Sequence, residues 1–303
     1  MFVSVAICTW NRADLLDQTL TSMYKLVIPP QTVWELIIVN NNCTDTTDSV
    51  IDKHQAHLPI RRLFEPQQGK SFALNCASRA AKGDFIIWTD DDVFVETHWI
   101  TRYVGAFKQW PNASVFGGPV KPFMAGTPPQ WLMDVFTISQ VANVYAAIDL
   151  GPKPIRLTQG KEPYGVNWAV RTKDQRKYLY DTNLGPAPNR RIYHEEIDVI
   201  RRMFADGLEG RWVPKALVNH YISENRQTTK YIRKYHRGQG EYKALQRYGK
   251  NRYPSFEGKI IFIKGIIKSE LKYLIYRLII RDPKIWIKAV INSCHALGQL
   301  TRK

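Results

Sequence analysis

A chain of 303 residues with 44% hydrophobic and 23% charged side chains can bury a full core, which excludes a disordered protein. Its net charge of +16 is unevenly placed: residues 1–225 hold 24 Lys and Arg against 23 Asp and Glu, whereas residues 226–303 hold 19 against 4. The chain thus reads as a charge-balanced domain, 1–225, followed by a basic extension, 226–303. Four scattered cysteines (Cys8, Cys43, Cys76, Cys294) without a CxxC pair exclude the usual zinc spacings and suit reduced thiols in a cytosolic compartment. The amino terminus lacks the regions of a signal peptide, and no uncharged apolar run reaches roughly 18 residues, so no membrane-spanning helix is expected.

In chain order, residues 2–7 form a β-branched apolar run that predicts a buried strand, ending at Cys8-Thr9-Trp10-Asn11-Arg12. Leu15, Leu16, Leu20 and Met23 then follow helical spacing, with Asp14 and Asp17 in the first turn. Residues 34–39 predict a second strand that ends in the polar run 40–48, and residues 60–64 predict a third. An alanine-rich helix is expected over 71–81, with Gly83 as terminator, before a fourth strand at 85–88. Strands alternating with helices imply an α/β fold with a mainly parallel sheet covered on both faces. Ligands of such sheets bind beyond the carboxyl ends of the strands. Three of the four strands end in polar clusters, which should converge on one crevice.

The fourth strand stops in Asp90-Asp91-Asp92. Three adjacent carboxylates repel one another unless a cation or solvent compensates them. An all-oxygen cluster suits a hard ion, Mg²⁺ or Mn²⁺, with bound phosphates completing its shell. The alternative is an acidic turn with Asp92 or Glu96 capping the next helix.

Further along, a helix is expected over 99–110 and a strand over 114–120, broken by Gly117-Gly118-Pro119. Residues 121–160 mix prolines with Phe123, Trp131, Phe136 and Tyr145, and predict irregular loops with some helix. A glycine-led strand follows at 165–171, then a Gly- and Pro-rich loop at 183–191. Ile197, Ile200, Met203 and Phe204 mark a helix whose amino end carries His194, Glu195, Glu196 and Asp198. A last strand is expected from Trp212 through Val218 into Asn219 and His220.

The segments CTWNR, IIVNNNCTD, GKSFALNCASRAAKGDFIIWTDDD and HEEIDVIRRM resemble, in order and spacing over residues 2–240, the family-2 glycosyltransferases. The resemblance implies the Rossmann-like GT-A fold and an inverting, metal-dependent transfer from a nucleotide-sugar, most simply a UDP-sugar. It makes the triplet the DxD element, with Asp90 and Asp92 flanking Asp91 and holding Mg²⁺ or Mn²⁺ and the donor's diphosphate or ribose. It places Thr9, Asn11 and Arg12 in the loop that contacts the nucleotide. Asn40 stands where the family usually has an Asp on the nucleobase; its amide oxygen can still accept from a uracil N–H. Asp45, Lys70 and Asn75 fall on the nucleotide side, although Leu74 replaces an Arg common there. In G-x-N-x-A-x-R, the strand beneath the sugar-binding site, the resemblance implies that Asn167 contacts the donor's sugar. Glu196 matches the catalytic base, with Glu195 and Asp198 as competitors, because an inverting transfer needs one ionised carboxylate to take the acceptor hydroxyl's proton. His220 would complete the metal site, and Arg233 or Arg237 would approach the donor phosphates.

In the extension, residues 259–291 interleave isoleucines and leucines with Lys264, Lys268, Lys272, Arg277 and Arg281, as in a helix lying on anionic lipid. The expected partners are a nucleotide-sugar, a saccharide or lipid-linked acceptor and the inner face of the cell membrane, where the chain would sit peripherally. A nucleotidyltransferase would need a glycine-rich triphosphate loop after the first strand, and CTWNRAD has no glycine. A basic nucleic-acid binder would leave the acidic triplet unexplained, and no recognition signature is present, so no nucleic-acid partner is expected.

Overall fold

The computed structural model describes residues 1–188, 190–249 and 253–301. The expected loop at 183–191 includes Asn189, and the basic extension includes 250–252 and 302–303; these positions lie outside the described residues. The first half alternates as β1 (Phe2–Thr9), α1 (Ala13–Met23), β2 (Val33–Asn40), α2 (Thr47–His54), β3 (Ile60–Phe64), α3 (Lys70–Ala80) and β4 (Phe85–Asp90). Then come β5 (Val93–Val95), α4 (Trp99–Gln109), β6 (Ala113–Gly117), β7 (Val120–Met124), α5 (Gln130–Val135), α6 (Ser139–Ala142), β8 (Arg156–Leu157) and β9 (Asn167–Arg171). The remainder is α7 (Thr172–Gln175), β10 (Gly185–Ala187), β11 (Arg190–Ile192), α8 (Glu195–Ala205), β12 (Glu209–Trp212), β13 (Val218–Ile222), α9 (Thr229–Tyr248), α10 (Phe256–Ile275) and α11 (Pro283–Thr301).

Strand order in the main sheet is β3-β2-β1-β4-β9-β6-β12-β8, and among its members β9 and β8 run against their neighbours. The central strands are apolar at successive positions, so both faces demand cover. Val3, Val5, Ile7, Leu36, Ile38, Phe85 and Ile87 pack against α1, α2 and α4. Their alternating neighbours Ala6, Ile37, Val39, Ile86 and Trp88 pack against α3 and α8. Each valine, leucine, isoleucine or phenylalanine among them, fully buried, contributes about 1.5–3 kcal/mol. Register brings the carboxyl ends level: Thr9 pairs with Asn40, and Cys8 with Asp90.

The strand expected over 212–218 is two strands in two sheets. β12 ends at Trp212 and β13 begins at Val218, because Pro214 lacks the N–H a continuing ladder needs. β13 joins a small sheet of order β5-β13-β7, which sets His220 opposite Val93, next to the acidic triplet. The break expected in the strand over 114–120 falls at Gly118-Pro119, between β6 and β7.

Two compact units result. One comprises residues 1–123, 146–188 and 195–221; the other takes residues 124–145 and the chain from 222 onward, with 190–194. The second unit has its own core of Leu132, Val135, Tyr145, Ile232, Trp286, Ile287, Val290 and Ile291. Part of the stretch expected as loops therefore forms helical core. Trp286 faces this core, 5.4 Å from Trp131, rather than outward as an interfacial helix would present it. Helix α9 crosses α11 where Gly240 and Gly298 let the backbones touch: a Cβ at Gly298 would fall inside contact distance of the Arg237 carbonyl oxygen, and one at Gly240 inside that of His295.

That crossing sets an expected outcome. Gly298→Ala or Gly240→Ala should lower the unfolding free energy by about 1–3 kcal/mol through overpacking. Gly265→Ala on α10, whose Cβ would meet nothing within 4 Å, should stabilise the helix by up to about 1 kcal/mol. Urea unfolding of the three variants checks both signs.

Candidate active site

The end of β4 is a crowded junction of charge. The Thr9 hydroxyl donates to Asp91 Oδ2 at 2.7 Å. Arg12 forks across two members of the triplet, with Nη1 2.5 Å from Asp91 Oδ1 and Nη2 2.5 Å from Asp92 Oδ2. This is the bidentate use of guanidinium that lysine cannot reproduce. Thr19, buried on α1, donates to the Asp91 carbonyl (2.9 Å) and accepts from the Val93 amide (3.0 Å), so the backbone around the triplet is pinned from both sides. Burial pushes the Asp91 carboxyl up to about 6; Arg12 opposes this and Asp92 adds to it. Burial also disfavours the Arg12 charge, but Asp91 and Asp92 outweigh it and raise the guanidinium's pKa. Asp92 does not cap the next helix: it precedes β5, and α4 starts at Trp99 with no side-chain cap.

Asp90 points to a different cation. Its Oδ1 accepts from Lys70 Nζ at 2.9 Å, and the same ammonium lies 3.6 Å from Glu195 Oε1. Burial opposes the Lys70 charge, but Asp90, Glu195 and Glu196 hold its pKa well above the ordinary lysine value. Glu195 opens α8 and is buried; burial and then Glu196 push it up to about 7 against the pull of Lys70. Glu196 is half-buried, and its Oε1 accepts the Gly165 amide at 3.1 Å. Asp198 is paired one turn on with Arg202 at 2.9 Å. Acids in the first turn of α8 also meet its favourable dipole end.

Other residues expected at the site prove to shape its loops. Asn11 sits at φ 51°, and its Oδ1 accepts the Thr44 amide at 2.7 Å. Asn40 accepts from the Cys43 amide at 2.8 Å and donates to Asp48 at 3.0 Å. Asp45 accepts from the Ala13 amide (3.0 Å) at the start of α1 and from the Thr47 amide (3.2 Å) at the start of α2. Asn75 is buried and holds the Tyr180 backbone through both amide atoms, each at 2.9 Å.

The donor contact expected of Asn167 does not fit. Its oxygen accepts from Trp99 Nε1 (2.9 Å) and the Tyr103 hydroxyl (2.9 Å), and its nitrogen donates to the Pro119 (2.9 Å) and Ala216 (2.7 Å) carbonyls. All four of its hydrogen bonds are made inside the core, which leaves none for a sugar. His220, also buried, approaches Asp92 Oδ2 to 3.5 Å through Nε2. Arg237 belongs to the second unit, 3.4 Å from Glu241 and 3.1 Å from the Thr301 hydroxyl; Arg233 there forks onto Glu270 at 2.6 and 3.0 Å. Thr19 was not anticipated, although a threonine on the apolar stripe of Leu16, Leu20 and Met23 is the signal that could have found it.

Carboxylates and cations thus gather, beside a separate acid pair, beyond the carboxyl ends of a mainly parallel sheet, the place where α/β folds bind their ligands. Residues 4–198 match the family model described as Glycosyl transferase family 2, and the chain belongs to that family. It is 26% identical over 134 residues to the succinoglycan biosynthesis protein ExoM of Rhizobium meliloti (strain 1021), across 44% of this chain and 43% of that protein. It is 27% identical over 106 residues to validoxylamine A glucosyltransferase of Streptomyces hygroscopicus subsp. limoneus, across 34% of this chain and 23% of that one. The chain thus aligns with less than half the length of these curated relatives. Among solved structures it resembles S. aureus TarS 1–349 in complex with UDP (TM-score 0.57, 14% identity, 98% of this chain and 89% of that one). It also resembles the mannosyltransferase PcManGT from Pyrobaculum calidifontis in complex with GDP-Man and Mn²⁺ (TM-score 0.55, 17% identity, 98% and 72%). These likenesses establish the GT-A fold.

The buried acid implies a pH effect. Glu195 holds its proton up to about pH 7 when folded but only to 4.5 in the unfolded chain, so the folded state binds more protons between those values. Stability from this group is therefore lost as pH rises through that window. Glu195→Gln should stabilise the protein relative to the wild type by an amount that grows from pH 5 to pH 7.5; a difference constant across that range in thermal unfolding would refute the shift.

Proposed function

We propose that the chain is an inverting glycosyltransferase that moves a sugar from a nucleotide-sugar, a UDP-sugar first in order, to a saccharide or lipid-linked acceptor in polysaccharide or glycan synthesis. One observation carries this reading: Lys70 joins Asp90 of the triplet to Glu195 of the acid pair, about a hundred residues apart in sequence, in a single crevice. In this reading the triplet side of the crevice holds the donor's diphosphate and the acid pair faces the acceptor. Glu196 takes the acceptor hydroxyl's proton as that oxygen bonds to the anomeric carbon, and the nucleoside diphosphate leaves with the electrons of the broken glycosidic bond. Glu195 suits the base less well, being buried with its carboxylate 3.6 Å from the Lys70 ammonium, and Asp198 is committed to Arg202. Among the described residues Glu196 accepts one hydrogen bond, from a backbone amide.

The donor set fits a divalent cation in part. Asp92 and His220 converge, yet among the described residues no group of three His, Cys, Asp or Glu side chains is arranged to hold an ion. Asp92 and His220 would therefore hold Mg²⁺ or Mn²⁺ together with the donor's own phosphates, as is common for ions bound through one or two carboxylates. When bound, the ion would neutralise charge on the departing diphosphate. The structure of PcManGT contains Mn²⁺ with GDP-Man, and that of TarS contains UDP, which supports the choice of ligands to test. Among the described residues no helix is long and apolar enough to cross a membrane, and the basic helical region would hold the enzyme peripherally on an anionic membrane face.

Thermal unfolding with UDP- and GDP-sugars, with and without Mn²⁺, tests the donor: metal-dependent stabilisation is expected, and none with any nucleotide sinks the reading. Glu196→Gln should reduce transfer by about 10²–10⁴-fold while keeping donor-induced stabilisation. Near-normal turnover in that variant would remove Glu196 from its role.

A further inference from the structure

Helix α10 is twenty residues long, and none of them is fully buried. Phe256 is 78% exposed, Ile261 68% and, in the π-helical turn Tyr276–Ile280 that follows, Ile279 is 74% exposed. Ile263, Ile267, Leu271, Leu274 and Leu278 extend this into one aliphatic ridge of exposed side chains. Beside the ridge, α10 and α11 enclose a cleft of about 460 Å³ whose lining includes Lys268, Lys272, Tyr276, Lys284, Lys288 and Asn292. No acidic residue lines it. Of the acids nearest in sequence, Glu270 is engaged by both Arg233 nitrogens at 2.6 and 3.0 Å, and Asp282 accepts the Lys284 amide at 2.8 Å. Four ammonium groups around one cleft repel one another unless an anion joins them.

A phosphate with an apolar body attached satisfies both features at once. We propose that α10 lies on an anionic bilayer, its aliphatic ridge in the headgroup layer, and that the four-lysine cleft receives the phosphate of an anionic glycerophospholipid headgroup. This rests on the peripheral-membrane part of the function proposed above and adds a specific recognition site to it. A second copy of the chain is a poorer occupant, because two lysine-rich faces brought together by their ridges would repel.

The test uses the full chain and vesicles of phosphatidylglycerol or of phosphatidylcholine, read by co-sedimentation. Binding to phosphatidylglycerol alone is expected. Removing the cleft lysines (Lys268→Ala, Lys272→Ala, Lys284→Ala, Lys288→Ala) should weaken it roughly fivefold per lysine. Ile267→Ser with Leu271→Ser and Leu274→Ser should also weaken it. All seven side chains are solvent-exposed, so the thermal midpoint should hold in both variants. Millimolar inorganic phosphate should leave vesicle binding in place; release by it would reassign the cleft to free phosphate and overturn the proposal. Wild-type binding by the lysine variant would overturn the cleft while leaving membrane attachment standing. Absence of any phosphatidylglycerol binding would overturn both, and a dimer abolished by the serine variant, without vesicle binding, would assign the ridge to a second copy.

Discussion

Five carboxylates, Asp90, Asp91, Asp92, Glu195 and Glu196, meet at the carboxyl ends of the sheet, and two side-chain cations, Arg12 and Lys70, are set among them. Like charges in a crevice of low dielectric cost far more than in water, so this imbalance constrains the whole site. It explains why Arg12 is forked across two acids and why Lys70 is shared between distant segments, and it adds to the burial that raises the proton affinity of Asp91 and Glu195. A diphosphate entering such a crevice meets an excess of negative charge. On the function proposed, it enters only with added positive charge or with re-pairing of Arg12 and Lys70, and a divalent ion beside Asp92 supplies the former.

Much of this was legible from residue order. The apolar runs at β1, β2 and β4 and the polar clusters that end them point to one crevice, since a parallel sheet binds ligands beyond its carboxyl ends. Residues 60–64 were expected as a strand and form β3, although only Ile60, Leu63 and Phe64 of its five residues are apolar. Hydrogen-bond capacity was not legible. Asn167 occupies a family position beneath the sugar, yet whether an amide has a free lone pair depends on Trp99, Tyr103, Pro119 and Ala216, which only the tertiary fold assembles. Nor does spacing reveal that Pro214 hands the chain from one sheet to another, which is what carries His220 to Asp92.

Asn11, Asn40 and Asp45 show a related distinction between shaping a site and touching its ligand. Asn11 ties its loop to the Thr44 loop, Asn40 closes a turn and Asp45 starts a helix, each through a backbone amide. Short polar side chains are favoured at such positions whether or not a ligand follows. A motif that aligns across a family therefore reports the loop's shape as much as its contacts.

The basic extension separates pattern from direction. Both α10 and α11 are amphipathic in sequence, but α11 turns Trp286, Ile287, Val290, Ile291 and Cys294 into one buried stripe, and this accounts for all its large apolar residues at that end except Ile285. Helix α10 carries its isoleucines and leucines over a wider arc than a single neighbouring helix can cover, so a surplus faces outward whichever way it is rotated. Packing against α11 consumes one side, lysines at 268 and 272 border the cleft there, and the remaining aliphatic arc stays in solvent. A soluble helix gains nothing from that surplus, since exposed apolar area costs about 25 cal/mol per Å² relative to burial. On the bilayer proposal, an apolar layer beneath negative charge supplies the burial that this surplus lacks in water.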